Sequence, residues 1–255
     1  MTAGKGIEAA KVSRGFFGVQ LAYADALAAK AGIPLADAIT WQTNFHRLFA
    51  YGNLAKMDPA EEFLALVSDV VEIRDRDARL DLLVSVYAQR PFDPWPSDRF
   101  PFGRCFACEA PNEDGIVRIH FRHRYQNNAA GPLHASNIAQ RRADLTEMFG
   151  FVAKRWPEAK TVNGASWLYN TEGYRRLFPA EFVASRTLLT GPRSTHGLST
   201  WGQFLDFRGY VKPAVLETFR QNLKSLDPRE PWLVFPYPVL QTTAPFDVFR
   251  REYGL

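Results

Sequence analysis

The sequence predicts an α+β fold, in which a helical N-terminal subdomain is followed by a mixed sheet flanked by helices. Over residues 7–90 apolar side chains recur at helical spacing, whereas residues 116–170 read as strand, polar loop, amphipathic helix and strand. Residues 91–101 (PFDPWPSDRFP) hold four prolines and indicate a boundary. The expected organisation is therefore a helical subdomain at 1–90, a connector at 91–101 and an α/β domain at 102–255.

Composition narrows the class of protein. The chain of 255 residues has 31 basic and 27 acidic side chains and no dense basic run, so we expect a small-molecule ligand and no nucleic-acid partner. Two cysteines at this length indicate a reducing compartment, and no apolar stretch is long enough to span a membrane. The prediction is a cytoplasmic protein that crosses no membrane, with its oligomeric state left open. Aromatic residues make up 14% of the chain, which indicates a core or cleft built from rings.

Helix signals divide the first 90 residues. One helix is expected to end before Gly32, and a second to run from about 34–38 to about Gly52. That second helix carries His46 on an apolar face, where a hydrogen-bonded core histidine is expected. Asp58 is the predicted N-cap of a third helix.

The predicted strand Ile116–Arg124 separates apolar from basic side chains, because successive residues of a strand point to opposite faces. One face holds Val117, Ile119, Phe121 and His123, and the other holds Arg118, His120, Arg122 and Arg124. A row of cations suits a phosphate or a carboxylate, since arginine offers a forked donor set. The alternative is a solvated face with no ligand.

Residues 125–136 form a polar loop that leads into a predicted helix at 137–156. Unpaired N–H groups and the positive end of a helix dipole suit a pyrophosphate. Arg141 and Arg142 lie near the helix start, where positive charge opposes the dipole, so an anion nearby is favoured. Exposed arginines with no ligand are the alternative.

A second strand is predicted over Thr161–Asn170, with Ser166 and Asn170 on one face and Trp167 and Tyr169 on the other. Tyr169 is a candidate general acid toward a leaving thiolate or amine; the alternative places its ring in the core. Further along, we expect a strand at 182–189, a helix at 213–226 and an extended tail at 232–240.

Two other constellations are disfavoured. Cys105 and Cys108 with His120 and His123 have the residue types of a zinc site, but histidines three apart on a strand point to opposite faces. Ser194, His196 and Asp206 lack the nucleophile elbow of a hydrolase triad. No metal ligand is therefore predicted.

Residues 100–255 resemble a group of bacterial two-domain proteins with a helical N-terminal part and a GNAT-like acyltransferase C-terminal part. The residues that carry the resemblance are Gly131-Pro132-Leu133, Phe151, Trp156-Pro157-Glu158, Ser166-Trp167-Leu168-Tyr169-Asn170, Leu177-Phe178-Pro179 and Phe235-Pro236-Tyr237-Pro238-Val239-Leu240. The resemblance implies a GNAT-like mixed sheet and the transfer of an acyl group from acyl-CoA to a small amine or hydroxyl acceptor. The cleft is expected where the two central strands splay.

Site residues follow from combining this resemblance with the patterns above. The candidate catalytic residues are Tyr169 as acid, His120 or His134 as base, and Ser166. The candidate residues for the phosphates of acyl-CoA are Arg122, Arg124, Gln126, Asn128, Gly131 and Arg141.

The loop also motivates a second hypothesis. GNAT enzymes typically carry the motif Q/R-x-x-G-x-G/A in this loop. Residues 126–131 are QNNAAG, so alanine stands where the motif has its first glycine. A non-catalytic small-ligand binding or regulatory protein on a degenerate GNAT-like scaffold is the alternative.

Overall fold

A computed structural model gives the structure of the chain over residues 3–54, 57–89, 98–122, 130–191 and 194–255, with side chains from Arg14 onward. The fold is α+β, as predicted: helices precede a six-stranded mixed sheet that has further helices around it. None of the helices in the described ranges combines the length and apolarity that a bilayer crossing requires.

The chain divides into two compact units, and both are discontinuous in sequence. The helical unit comprises Met1–Asp93 and Thr190–Pro238, and the sheet unit comprises Pro94–Leu189 and Val239–Leu255. This division differs from the expected 1–90, 91–101 and 102–255, because residues 190–238 belong with the N-terminal helices. The expected connector also overlaps the first strand, which begins at Arg99.

The helical unit is built from short amphipathic helices around one long helix. Its helices are α1 (Ala3–Ala31), α2 (Leu35–Gln42), α3 (Phe45–Leu48), α4 (Glu61–Glu72), α5 (Arg76–Ala88), α9 (Leu198–Trp201) and α10 (Pro213–Lys224). The expected second helix is broken between α2 and α3. The cap of α4 is Ala60, so the prediction of Asp58 was wrong. His46 is the core histidine expected, since its ring contacts the Gly52 carbonyl oxygen at 3.0 Å and accepts from the Ala60 N–H at 3.3 Å.

A ring cluster explains why residues 190–238 belong to the helical unit. Tyr23 of α1 is fully buried, and its ring centroid lies 5.5 Å from that of Trp201 and 5.3 Å from that of Phe235. Phe204 and Phe219 complete the cluster, with centroids 4.8 Å apart. Edge-on and tilted ring pairs of this kind add to the free energy of burial. Aromatic residues therefore join two segments that lie far apart in sequence.

The sheet unit has strand order β1-β2-β3-β4-β6-β5. Its elements are β1 (Arg99–Phe102), β2 (Phe106–Glu109), β3 (Ile116–Phe121), α6 (Ile138–Arg155), β4 (Thr161–Ser166), α7 (Glu172–Arg175), α8 (Ala180–Ala184), β5 (Thr187–Leu188), β6 (Leu240–Pro245) and α11 (Phe246–Tyr253). Among the strands of the described residues, only β3 and β4 pair in parallel, and α6 lies between them in the chain, as the crossover of a parallel pair requires.

One face of the sheet carries the core. Val117 and Ile119 of β3 and Val162 of β4 are buried in one cluster with Phe149 of α6 and Phe249 of α11. The rings of Phe149 and Phe249 lie 4.6 Å apart. The apolar alternation predicted for β3 is therefore confirmed, and the opposite face of the sheet carries the basic side chains.

Candidate functional site

The parallel strands β3 and β4 stop pairing before either strand ends. Their register runs from Ile116 opposite Thr161 to Ile119 opposite Gly164, yet β3 continues to Phe121 and β4 to Ser166. Open sheets bind ligands outside the carboxyl ends of their strands, where neighbouring connections diverge. This edge of the sheet is the candidate site, and the loop after β3 leads from it to α6.

His120 lies one residue beyond the last residue of β3 that pairs with β4. Its Nε2 is 2.8 Å from Oε1 of Glu109 on the neighbouring strand β2. Both side chains are partly exposed, at 24% for His120 and 18% for Glu109. A carboxylate bonded to one ring nitrogen fixes the orientation of an imidazole and stabilises its protonated form. This dyad has the chemistry of a general base.

Arg99 completes the charges around Glu109. Its Nε lies 3.6 Å from the same carboxylate oxygen that contacts His120. Burial lowers the pKa of the Arg99 guanidinium, and the Glu109 carboxylate raises it in part. The Arg99 guanidinium and the His120 imidazole therefore meet one carboxylate on the face of the sheet away from the core.

Tyr169, the predicted general acid, is in the core. Its side chain is 1% exposed, and burial raises the pKa of its hydroxyl well above the ordinary value. The hydroxyls of Thr242 and Tyr174 lie near enough to moderate that rise. Even so, the Tyr169 oxygen makes no hydrogen bond of ordinary geometry among the described residues. Tyr169 is thus placed as an internal side chain and not at a solvent-facing cleft.

Gly164 makes room for the Tyr169 hydroxyl. A Cβ atom built on Gly164 would meet the Tyr169 oxygen at a distance far below contact and its ring carbon Cζ at 3.2 Å. Glycine is therefore needed at this strand position because a side chain, and not backbone, approaches it closely.

The predicted second strand is four residues too long. β4 ends at Ser166, whose Oγ accepts a hydrogen bond at 3.1 Å from the Leu168 N–H and so caps a 3₁₀ turn, Trp167–Asn170. Asn170 closes the same turn by donating from Nδ2 to the Trp167 carbonyl oxygen at 2.7 Å. Serine and asparagine bond readily to nearby backbone and compete with strand pairing. Ser166 therefore has a structural role at the end of β4.

His134 is exposed in the loop before α6. Its Nδ1 lies 2.8 Å from the Ser136 Oγ and accepts from the Ser136 N–H at 3.3 Å. A ring nitrogen that accepts a backbone N–H leaves the proton of the neutral ring on Nε2. His134 is thus a poorer general base than His120.

Gly131 and its neighbours shape the start of α6. The Gly131 carbonyl oxygen accepts from the His134 N–H at 3.0 Å and from the Asn137 Nδ2 at 2.9 Å. Arg122 is partly buried, and its backbone N–H donates to the Cys105 carbonyl oxygen at 2.8 Å. The predicted phosphate-binding residues Arg124, Gln126 and Asn128 lie outside the described residues.

Arg141 does not lie at an anion site. Its side chain is 3% exposed, with Nη2 3.0 Å from Oδ2 of Asp144 and Nη1 donating to the Cys105 Sγ at 2.9 Å. Gln140 donates from Nε2 to the other Asp144 oxygen at 3.0 Å. Gly103 is required for two reasons. Its φ of +53° is one that other residues rarely adopt, and a Cβ atom at this position would collide with the Asp144 carboxylate.

The second arginine of that helix turn also has an internal partner. Arg142 pairs with Glu252 of α11 at 2.5 Å and donates from Nη1 to the Arg176 carbonyl oxygen at 3.3 Å. The inference that an external anion balances both arginines was therefore wrong. Their charges are balanced by Asp144 and Glu252 instead.

Both cysteines are buried, free thiols. Burial raises the pKa of Cys105 to about 11, although Arg141 lowers it, and burial raises the pKa of Cys108 to about 12. Within the described ranges no group of three or more potential metal ligands occurs. His123 of the weighed zinc constellation lies outside those ranges.

We expect neither thiol to react with Ellman's reagent in the folded protein at pH 8, because the attacking species is the thiolate and both groups are protonated and enclosed. After denaturant has unfolded the protein, two thiols per chain should react with the reagent. Rapid reaction of one thiol without denaturant would contradict this placement.

Sequence reasoning missed two acidic residues. Glu109 orients His120 from a different strand, so only the pairing of β2 with β3 brings the two together. Asp144 follows Arg141 by three residues, a spacing that places both on one helix face and is visible in the sequence. That spacing alone does not show that the pair is buried.

No family model, curated protein or solved structure matches this chain. The resemblance to GNAT-like proteins therefore stays a prediction, and the function has to be argued from the geometry of the site.

Proposed function

We propose that the chain is a GNAT-like acyltransferase, in which His120 and Glu109 act on a small amine or hydroxyl acceptor at the carboxyl ends of β3 and β4. The observation that supports this most directly is the 2.8 Å contact between His120 and Glu109 beside the point where the parallel strands stop pairing. A general base must be oriented and partly accessible, and this dyad is both.

The reaction follows from the roles of these groups. The acceptor nitrogen or oxygen attacks the thioester carbonyl of acyl-CoA while His120 takes its proton. The new bond forms to the carbonyl carbon, the carbon–sulfur bond breaks, and the thiolate leaves and is protonated. Glu109 holds the imidazole in place and stabilises the imidazolium that forms.

The donor is assigned to the edge that leads to α6. Arg122 and Gly131 lie on either side of residues 123–129, where the sequence predicts a loop that includes Arg124, Gln126 and Asn128. Backbone N–H groups and arginines in such a loop suit the pyrophosphate of acyl-CoA. Arg141 and Tyr169 take no part in this proposal, because both are enclosed in the core. Protonation of the leaving thiolate falls to the His120 imidazolium.

We expect His120→Asn to lower kcat for acyl transfer by about 100- to 10,000-fold, because a positioned base contributes on that order. Glu109→Gln should lower kcat by a smaller factor, since it leaves the ring but loses the charge that orients it. Thiol release from acetyl-CoA and longer acyl-CoAs, with a panel of amines as acceptors, measures both effects.

His134→Asn is the matched control, since it removes an exposed histidine of the same unit from the loop before α6. His134→Asn should change kcat less than threefold, because the Nδ1 atom of His134 already accepts a hydrogen bond from the Ser136 N–H. If His134→Asn abolishes turnover and His120→Asn does not, the roles assigned here are wrong. Isothermal titration in which no acyl-CoA gives heat would refute the donor.

A specific observation favours the second candidate, a non-catalytic binding or regulatory protein. Two residues that the sequence-based prediction assigned to acyl transfer, Tyr169 and Arg141, are enclosed in the core, and Arg141 is paired there with Asp144. In that case a small ligand binds at the same edge with no turnover. Measurable acyl transfer by the wild-type chain removes this candidate.

A further inference from the structure

We infer that the acceptor carries a carboxylate and that Arg118 recognises it, so that the substrate is an amino acid or a closely similar amino carboxylate. This inference rests on the proposed function, since it concerns the acceptor that His120 deprotonates. It adds a specificity residue to the site.

The relevant surface is the polar face of the sheet, away from α6 and α11. Alternation places the following side chains on it: Arg99, Glu109, Arg118, His120, Asn163, Gln241 and Thr243. Their neighbours along each strand, such as Val117, Val162 and Thr242, are buried on the core side. On the polar face Arg118 and Thr243 are exposed, and Glu109, His120, Asn163 and Gln241 are partly exposed.

Arg118 differs from its charged neighbours on the polar face in making no close ion pair among the described residues. Glu109 is the only acidic residue in the described strands, and it contacts Arg99 and His120. The Asp98 carboxylate, just before β1, also raises the pKa of the Arg99 guanidinium. Arg118 is exposed and forms no ion pair with any residue the structure describes. Its guanidinium is therefore accessible to a negatively charged group of the ligand.

The sheet register gives Arg118 polar neighbours on both sides, with Glu109 of β2 one step beyond the Cys108–Ile119 pair and Asn163 on β4. Arg118 lies opposite Asn163 of β4, and Asn163 lies opposite Thr243 of β6. Adjacent strands are about 4.8 Å apart, so a guanidinium, an amide and a hydroxyl form one continuous row. Arginine binds a carboxylate through two parallel N–H bonds, and the amide and hydroxyl supply further donors.

The distance between Arg118 and His120 limits how far apart the carboxylate and the amine of the acceptor can be. Arg118 and His120 are two residues apart on the same face of β3, which separates their Cα atoms by about 6.6 Å. A carboxylate held by Arg118 therefore places an amine two or three bonds from the carboxyl carbon beside the imidazole. Acyl transfer from the thioester then forms an N-acyl amino acid, and His120 receives the proton that the amine loses.

The test measures binding and transfer separately, with the full chain. Saturation-transfer NMR with the proteinogenic amino acids and their C-terminal amides reports binding, and thiol release from acetyl-CoA reports transfer. We expect at least one amino acid to bind and to be acylated, with its amide about tenfold weaker or worse. Arg118→Gln should weaken binding of that amino acid by about tenfold or more and abolish its preference over the amide.

Matched variants make the outcome specific. Arg155→Gln removes an exposed arginine from the last turn of α6, so it controls for net charge and should leave binding unchanged. His120→Asn should keep carboxylate binding while losing transfer. Transfer that ignores the carboxylate, or binding that survives Arg118→Gln, overturns the inference and leaves the proposed function standing. Arg118-dependent binding with no transfer by the wild-type chain refutes the proposed function alone.

Discussion

Replacing Asp144 by leucine should lower the free energy of unfolding by about 3–5 kcal/mol, the cost of leaving a buried charge without its partner. Asp144 and Arg141 are each 3% exposed and lie 3.0 Å apart, so water cannot replace the lost carboxylate. The Cys105 thiol, to which Arg141 also donates, is uncharged because burial raises its pKa to about 11. Urea denaturation monitored by circular dichroism measures the loss.

The double variant Arg141→Met with Asp144→Leu tests the cause. Replacing both charges by apolar side chains of similar length removes the desolvation cost as well as the pair, so much of the stability should return. If the double variant is as unstable as Asp144→Leu alone, the loss comes from packing and not from the unpaired guanidinium. Exposed Asp114→Asn in the turn before β3 is a control that should change stability little.

Replacing Gly164 by alanine is expected to destabilise the protein by about 1–3 kcal/mol, because an extra methyl group must enter a filled core. The added Cβ would overlap the Tyr169 oxygen and touch the Thr242 Oγ1 at 3.3 Å. Tyr169 is held by the rings of Tyr174 and Phe182, whose centroids lie 5.1 and 5.9 Å away, so it cannot move aside freely. Thermal unfolding gives the shift in midpoint.

Tyr169→Phe should compensate in part for Gly164→Ala, because it removes the oxygen atom that the new methyl group would overlap. The Tyr169 hydroxyl makes no ordinary hydrogen bond within the described part of the chain, so its removal should be nearly neutral. Combined with Gly164→Ala, it should recover part of the lost stability. A strongly destabilising Tyr169→Phe variant would show that the hydroxyl bonds to Thr242 or Tyr174, whose hydroxyls lie near it.

The spacing of apolar residues predicted those helices and strands that are determined by residues close together in the sequence. The strand that begins at Ile116 and the helix over 138–155 agree with prediction to within three residues at each end. The predicted strand at 182–189 was wrong, since α8 occupies 180–184 and only Thr187–Leu188 pair. Pro179 is extended at the start of α8, which suits a helix beginning there.

Elements that depend on distant partners were less predictable. The expected extended tail at 232–240 contains a 3₁₀ turn, Pro231–Val234, and the true strand β6 begins only at Leu240. Its partner β4 lies about 75 residues earlier, so no local pattern reveals the pairing. The helix α11, which follows directly, was not predicted.

The same distinction applies to the candidate site. His120 was selected from alternation within one strand, and the structure places it on the expected face. The residues that decide how it acts, Glu109 and Arg118 with Asn163, are brought together only by the sheet register. Tyr169 was selected for its hydroxyl, but burial is set by the whole core and not by residue type.

The position of β6 between β4 and β5 constrains when the protein can fold during synthesis. β5 has no partner until β6 arrives, and β4 lacks one neighbour until then. The ring cluster around Tyr23 likewise waits for Trp201, Phe219 and Phe235. A ribosome that has made only the first 190 residues therefore displays two incomplete units with exposed rings and an open strand edge, which are the features that chaperones bind.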